Sequence, residues 1–89
     1  MNKIEEKVVE IIQDKIMLDK MDINENTLLF EDDILDSLKS IHLMIELEKK
    51  FDITIDQTQI TMNDFQTIKS IGNMIERQRE KVKNNEKIY

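Results

Sequence analysis

Asp36-Ser37-Leu38 is the stretch of this chain whose residue types could carry chemistry. From Ser37 onward Leu38, Ile41, Met44, Ile45, Leu47 and Phe51 are apolar, at the spacing of a helix that runs to Phe51. Asp36 then stands at the N-cap, where its carboxylate can accept from the first free backbone N–H groups. A serine in the first turn has no preceding turn to cover it. Its hydroxyl faces water beside the unpaired N–H groups and partial positive charge of the helix N-terminus. Nothing activates that hydroxyl as a nucleophile: the only histidine, His42, lies more than a helical turn further on, and no third group completes a hydrolytic triad. Ser37 fits better as the target of a transferase. An Asp-Ser pair at a helix start is by itself most often only a cap.

The elements that must hold this stretch can be read from periodicity. Ile4, Val8, Ile11, Ile12 and Ile16 recur at helical spacing between charged residues, which predicts an amphipathic first helix over Asn2 to Leu18. Periodicity then stops between Asp19 and Asp36. Asp22, Asn24, Asn26, Asp32 and Asp33 are turn formers, while Leu28, Leu29, Phe30, Ile34 and Leu35 are apolar. A long loop pinned to the core by those apolar residues is expected, and such loops are commonly functional. The second helix is expected to be central. Phe51 to Ile55 alternates like a strand but has no partner strand, so it reads as an extended connector, followed by a short helix over Gln57 to Thr61. Thr67 can cap a last helix with Ile68, Ile71, Ile75 and Val82 on one stripe; Phe65 lies just before it, and Gly72 inside it allows a neighbouring helix to come close. The expected fold is all-α, a small irregular four-helix bundle with three longer helices, one short helix and a long first loop. Residues 1–82 form the domain, and 83–89, almost entirely polar, read as a disordered tail.

Composition removes several functions. The chain has 89 residues, one Gly, no Pro and no Cys. One small core is all that such a length can bury, with no room for a deep pocket walled by catalytic groups. Presentation or binding is the expected role. A formal net charge of -6 and few aromatics argue against nucleic acid and favour a partner with a basic face. Without cysteine, disulfides and thiolate metal sites are excluded, and any thioester must use a thiol that the chain does not encode. No secretory signal or membrane span is legible, so a cytoplasmic protein, not embedded in a membrane, is expected.

Leu28 to Ile55 resembles the phosphopantetheine-binding acyl carrier family. That family carries Asp-Ser-Leu or Asp-Ser-Met at the start of its second helix, matched here by Asp36-Ser37-Leu38. The apolar run before it and Glu-Leu-Glu-x-x-Phe-x-Ile-x-Ile from Glu46 to Ile55 match too, and the likeness covers the chain from the first helix to about Arg77. The tripeptide alone recurs everywhere by chance; at this place in this helix pattern it is specific. The resemblance implies a 4′-phosphopantetheine arm on Ser37, with Asp36 and Leu38 beside it, and the missing thiol arriving with that arm. A phosphodiester on Ser37 would gain from the helix N-terminus. It also implies a chain that is a substrate of other enzymes and not an enzyme itself: a phosphopantetheinyl transferase, an adenylating ligase and a downstream acyltransferase or synthase. The implied docking face comprises Ile34, Leu35, Lys39, Ile41, His42, Met44, Ile45, Glu46 and Glu48. By their spacing alone, Leu38, Ile41, Met44 and Ile45 are mostly core, His42 a rim residue, and Glu46 and Glu48 a solvated face.

Fatty-acid carriers of this family usually have acidic residues two and five positions after the modified serine; here those are Lys39 and His42. The Ile-Leu-Asp-Ser run into the helix, Ile-Glu-Leu-Glu-Lys-Lys-Phe-Asp-Ile, and Asn63-Asp64-Phe65-Gln66-Thr67 look closer to stand-alone D-alanyl carriers of teichoic acid modification. Lys39 and His42 depart from that pattern too, and a stand-alone peptidyl or acyl carrier of a secondary-metabolite pathway fits almost as well. A monomer is expected in each case. Two other classes compete: a helical adaptor in which Ser37 only caps, and a calcium loop from Asp22 to Asp33. The loop has Thr27 where the sharp turn requires Gly, and Asp33 where a bidentate Glu belongs. No metal site is therefore expected.

Overall fold

The structure, a computed structural model, describes residues 1–17 and 22–88, with side chains as far as Glu80. The chain starts on a capping box: Asn2 Oδ1 accepts from the Glu5 N–H at 2.8 Å, and Glu5 Oε1 accepts from the Asn2 N–H at 2.9 Å. This pair satisfies donors that the first turn leaves free. Helix α1, Lys3–Ile11, follows. It does not continue as one α-helix toward Leu18, as expected. The backbone widens into a π turn over Ile12–Ile16, closed by the Met17 N–H on the Ile12 carbonyl at 2.8 Å. Ile11, Ile12 and Ile16 are all buried, and the wider turn packs against the second helix. Leu18 lies outside the described residues.

Helix α2 spans Ser37–Phe51. It ends at Asp52, whose left-handed backbone (φ 52°, ψ 52°) lets its N–H and that of Ile53 reach back to the Glu48 carbonyl; aspartate tolerates this conformation better than most residues. Ile53 and Ile55 then bury alternate side chains along an extended connector. The short helix lies later than the sequence pattern suggested: a 3-10 turn over Met62–Phe65, not Gln57 to Thr61. Thr61 and Asp64 fix it there with a capping box of their own, while Asp56 turns the preceding residues by accepting from Thr58. Helix α3 spans Ile68–Ile88, so its backbone is helical across most of the stretch 83–89 read as a tail; Tyr89 lies outside the described residues. Thr67 caps it, its Oγ1 accepting from the Ser70 N–H at 3.1 Å.

No strand occurs among the described residues, and the architecture is the all-helical one expected, three longer helices and a short one. The hub differs. Helix α1, rather than α2, has the close backbone approaches to both other long helices. Gly72 suits the approach of α3: a Cβ there would stand 3.3 Å from the Glu5 Cγ and 3.9 Å from the Ile4 Cγ2, so a side chain would crowd Glu5. One apolar cluster results. Val8 and Ile12 from α1 and its π turn, Leu43 and Leu47 from α2, and Ile68, Ile71, Met74 and Ile75 from α3 are completely enclosed.

Candidate functional site

The loop before α2 is what aims Ser37, and Leu29 is its anchor. Its side chain is fully buried. Its N–H donates to the Gln66 carbonyl, and its own carbonyl accepts from both Ile34 and Leu35, each at 2.9 Å. The Glu25 carbonyl accepts from the Lys69 N–H at the start of α3. Asp33 turns the chain with φ 60°. Ile34 and Leu35, at 2% exposure each, then drop into the core. This corrects their expected place on a docking face: they hold the loop down and cannot touch a partner. Asparagine and threonine oxygens of the supposed calcium loop are used in a local turn, Asn24 Oδ1 accepting from the Asn26 N–H and Thr27 Oγ1 from the Asn24 N–H. Among the described residues no cluster of His, Asp or Glu could hold a metal ion.

The backbone leaves Leu35 extended through Asp36 (φ −133°, ψ −174°), and the helix starts at Ser37. Asp36 Oδ1 accepts from the Lys39 N–H at 2.8 Å, the cap expected. Asp36→Ala should lower stability by about 1 kcal/mol, measurable as a shift of the urea midpoint with an unchanged slope. Ser37 is exposed. Ser40 is a different serine: its Oγ donates back to the Ser37 carbonyl at 2.8 Å, so its hydroxyl proton is already engaged. Only the Ser37 hydroxyl stands free at the helix start.

Ser37 borders a groove of about 320 Å³ between α2 and the segment from Gln57 to Phe65. Phe30, Ile41, Met44, Ile60, Met62 and Phe65 give it an apolar lining, with Gln57 and the hydroxyl-bearing residues Ser37, Ser40 and Thr61 as its polar part. An arm joined to Ser37 fits this setting, with its anionic end at the helix N-terminus and an open cleft alongside. Met44 is a groove wall rather than a fully exposed docking residue. The far wall was not singled out from sequence. Ile60 and Met62 sit in a segment without periodicity, and only the late position of the 3-10 turn brings it opposite α2.

The remaining residues of α2 divide by the direction they face. Leu38, Ile41 and Ile45 are 77%, 50% and 46% exposed, an apolar strip next to Ser37 instead of the core positions their spacing suggests. His42 Nε2 lies 3.6 Å from Glu46 Oε1, one helical turn on. Glu48 points elsewhere: its carboxylate accepts from the Ile55 N–H at 2.9 Å and tethers the connector to the helix. Its role here is structural. No helix among the described residues is long and apolar enough to cross a membrane.

Comparison with known proteins gives one family. The model of that family, described as the phosphopantetheine attachment site, matches residues 6–76. A D-alanyl carrier protein of Listeria monocytogenes is 32% identical over 71 residues, 80% of this chain and 91% of the relative. D-alanyl carrier proteins of Listeria welshimeri and Listeria innocua are each 31% identical over the same shares.

Proposed function

The chain belongs to the phosphopantetheine attachment family and is a carrier protein with a covalent 4′-phosphopantetheine arm, and we propose that Ser37 bears that arm and that D-alanine is the cargo. The observation that carries the assignment is the geometry at Ser37: an exposed, unengaged hydroxyl on the first residue of α2, beside an open groove. A phosphodiester formed there keeps its charge next to N–H groups that the helix leaves free. Asp36 holds the first turn closed with one oxygen. The chain's own groups supply no acid, base or nucleophile to the transfer of cargo. They hold the arm at a fixed point and leave its thiol to the enzymes that load and unload it.

Residues 1–82 are taken as the carrier domain. Partner enzymes of the transferase and ligase classes are implied by the family. On this reading they are a phosphopantetheinyl transferase, an adenylating ligase and a downstream acyltransferase, and the compartment is the cytoplasm, where the ligase would find its ATP. The D-alanine reading is supported by the names of the relatives; Lys39 and His42 break the acidic pattern of fatty-acid carriers and speak only against that cargo. A second reading, a stand-alone carrier of an apolar acyl or peptidyl group, is favoured by one observation, the apolar lining of the groove.

Loading separates the two. The arm-bearing chain, incubated with ATP, D-alanine and a D-alanine-activating ligase, should gain one alanyl group that hydroxylamine releases, since a thioester is labile to it. Failure to load, alongside loading of a medium-length fatty acid by an acyl-adenylating ligase, would move the assignment to the second reading.

A further inference from the structure

The groove beside Ser37 shows apolar residues to water from both of its walls. Ile41 on α2 and Met62 on the 3-10 turn both line it, and both are exposed. Apolar walls that face each other across water gain by meeting, so an open cleft of this kind needs something to hold it open. Phe65 anchors the end of the far wall in the core. Ahead of it, Thr61 and Met62 are exposed and Ile60 is only partly buried.

One carboxylate braces this wall from behind. Asp64 Oδ2 accepts from the Thr61 N–H at 2.9 Å, which closes the wall's own turn. Asp64 Oδ1 accepts from Arg77 Nη2 at 2.7 Å, which ties that turn to α3. The Asp64 side chain is 16% exposed and that of Arg77 54%, so the attraction is screened less than in a fully exposed pair. The 3-10 turn packs against α3, and the groove lies on its α2 side. The pull of Arg77 is therefore directed against closure. Arg77 stands one residue past the stretch that the family model matches, residues 6–76. The brace thus draws on a part of α3 that membership of the family does not account for.

Resting on the assignment of Ser37, we infer that Arg77 is a positioning residue: through Asp64 it holds the far wall off α2 and keeps the space beside the arm's attachment point open. Without it the wall swings about the connector, which Glu48 ties to α2 through the Ile55 N–H. Thr61 and Met62 then come down toward Ser37 and Ile41. A transferase finds its target hydroxyl uncovered only in the fraction of chains whose groove is open, and its apparent affinity falls with that fraction. Arg77 touches neither the hydroxyl nor the arm; it acts only through the wall.

The test is the width of the groove, measured on the chain without its arm. The sequence has no cysteine, so His42→Cys on α2 and Gln59→Cys on the wall, both at exposed positions, take one spin label each. Pulsed electron spin resonance then reads the distance between them. Asp64→Asn keeps an oxygen for the Thr61 N–H, and Arg77→Met keeps the apolar stem. Each should raise the short-distance population by about twofold to fivefold, and added salt should shift the parent the same way. Arg77→Lys should stay close to the parent, and circular dichroism should show every variant folded. In unlabelled chains, Arg77→Met should raise the KM of a phosphopantetheinyl transferase and leave kcat unchanged. Unchanged or longer distances in either charge-removing variant, a loss in Arg77→Lys equal to that in Arg77→Met, or a shifted distance with an unchanged KM would each overturn the inference. The distances are read whether or not Ser37 accepts the arm, so the two assignments can fail separately.

Discussion

Ser37→Ala leaves the chain's mass unchanged after treatment with coenzyme A and a broad-specificity phosphopantetheinyl transferase, while the parent chain gains one phosphopantetheinyl group. The loss is complete because no other hydroxyl near the helix start is equivalent. Ser40, the nearest alternative, is tied to the Ser37 carbonyl and lies on the groove side, so Ser40→Ala should still be modified. The fold should not notice the Ser37 change. That side chain is exposed, the carbonyl that Ser40 uses is kept, and alanine is a good helix former. Stability should therefore stay within about 0.5 kcal/mol of the parent. Intact-mass spectrometry reads the modification and thermal unfolding reads the fold. A mass gain that survives in Ser37→Ala would place the arm elsewhere and reduce Ser37 to a first-turn residue.

The second large effect lies in the loop. Leu29→Ala should destabilise the chain by about 2–4 kcal/mol, the cost of removing buried methyl groups and leaving a space behind. In a domain of this size that corresponds to a fall in melting temperature of about 10 °C or more. The consequence for function follows from geometry. The Leu29 side chain is the anchor for a backbone whose carbonyl receives both Ile34 and Leu35 and whose N–H reaches Gln66. With the anchor shortened, the residues leading to Asp36 lose their fixed path. Modification of Ser37 should then slow even at a temperature where α2 is still helical. Hydrogen exchange at the Ile34 and Leu35 amides would rise ahead of exchange at Leu43 and Leu47. A variant as stable as the parent would show that the loop is held by its other apolar residues and that Leu29 is replaceable.

The long helices and the cap were legible because their signals are local. A carboxylate before a serine and a run of apolar residues at helical spacing need no knowledge of the rest of the chain to imply a helix start. Asp36 and Ser37 therefore fell where the pattern put them. Which apolar residues are buried was not legible to the same degree. Ile34 and Leu35 are core, as apolar pins of the loop should be and as a docking face implied by the resemblance should not, whereas Leu38, Ile41 and Ile45 read as mostly core by spacing alone and are exposed. Periodicity gives the separation of residues around a helix and not the side on which the neighbouring helices lie. Glu48 shows the same limit for charge: its spacing suggests a solvated face, and it binds the Ile55 amide of a segment that only the fold returns to it.

Residue types and their order thus settled an all-helical chain, an uncovered hydroxyl at a helix N-terminus and the absence of any thiol of its own. Those properties depend on side chains within a turn or two of each other, or on composition. The groove beside Ser37, the hub position of α1 and the sorting of the α2 surface into strip and wall came from packing. They arise where Gly72 lets α3 close on Glu5 and where a 3-10 turn brings Met62 and Phe65 opposite Ile41 and Met44. Contacts between segments distant along the chain have no local signature, so only the folded arrangement could decide them.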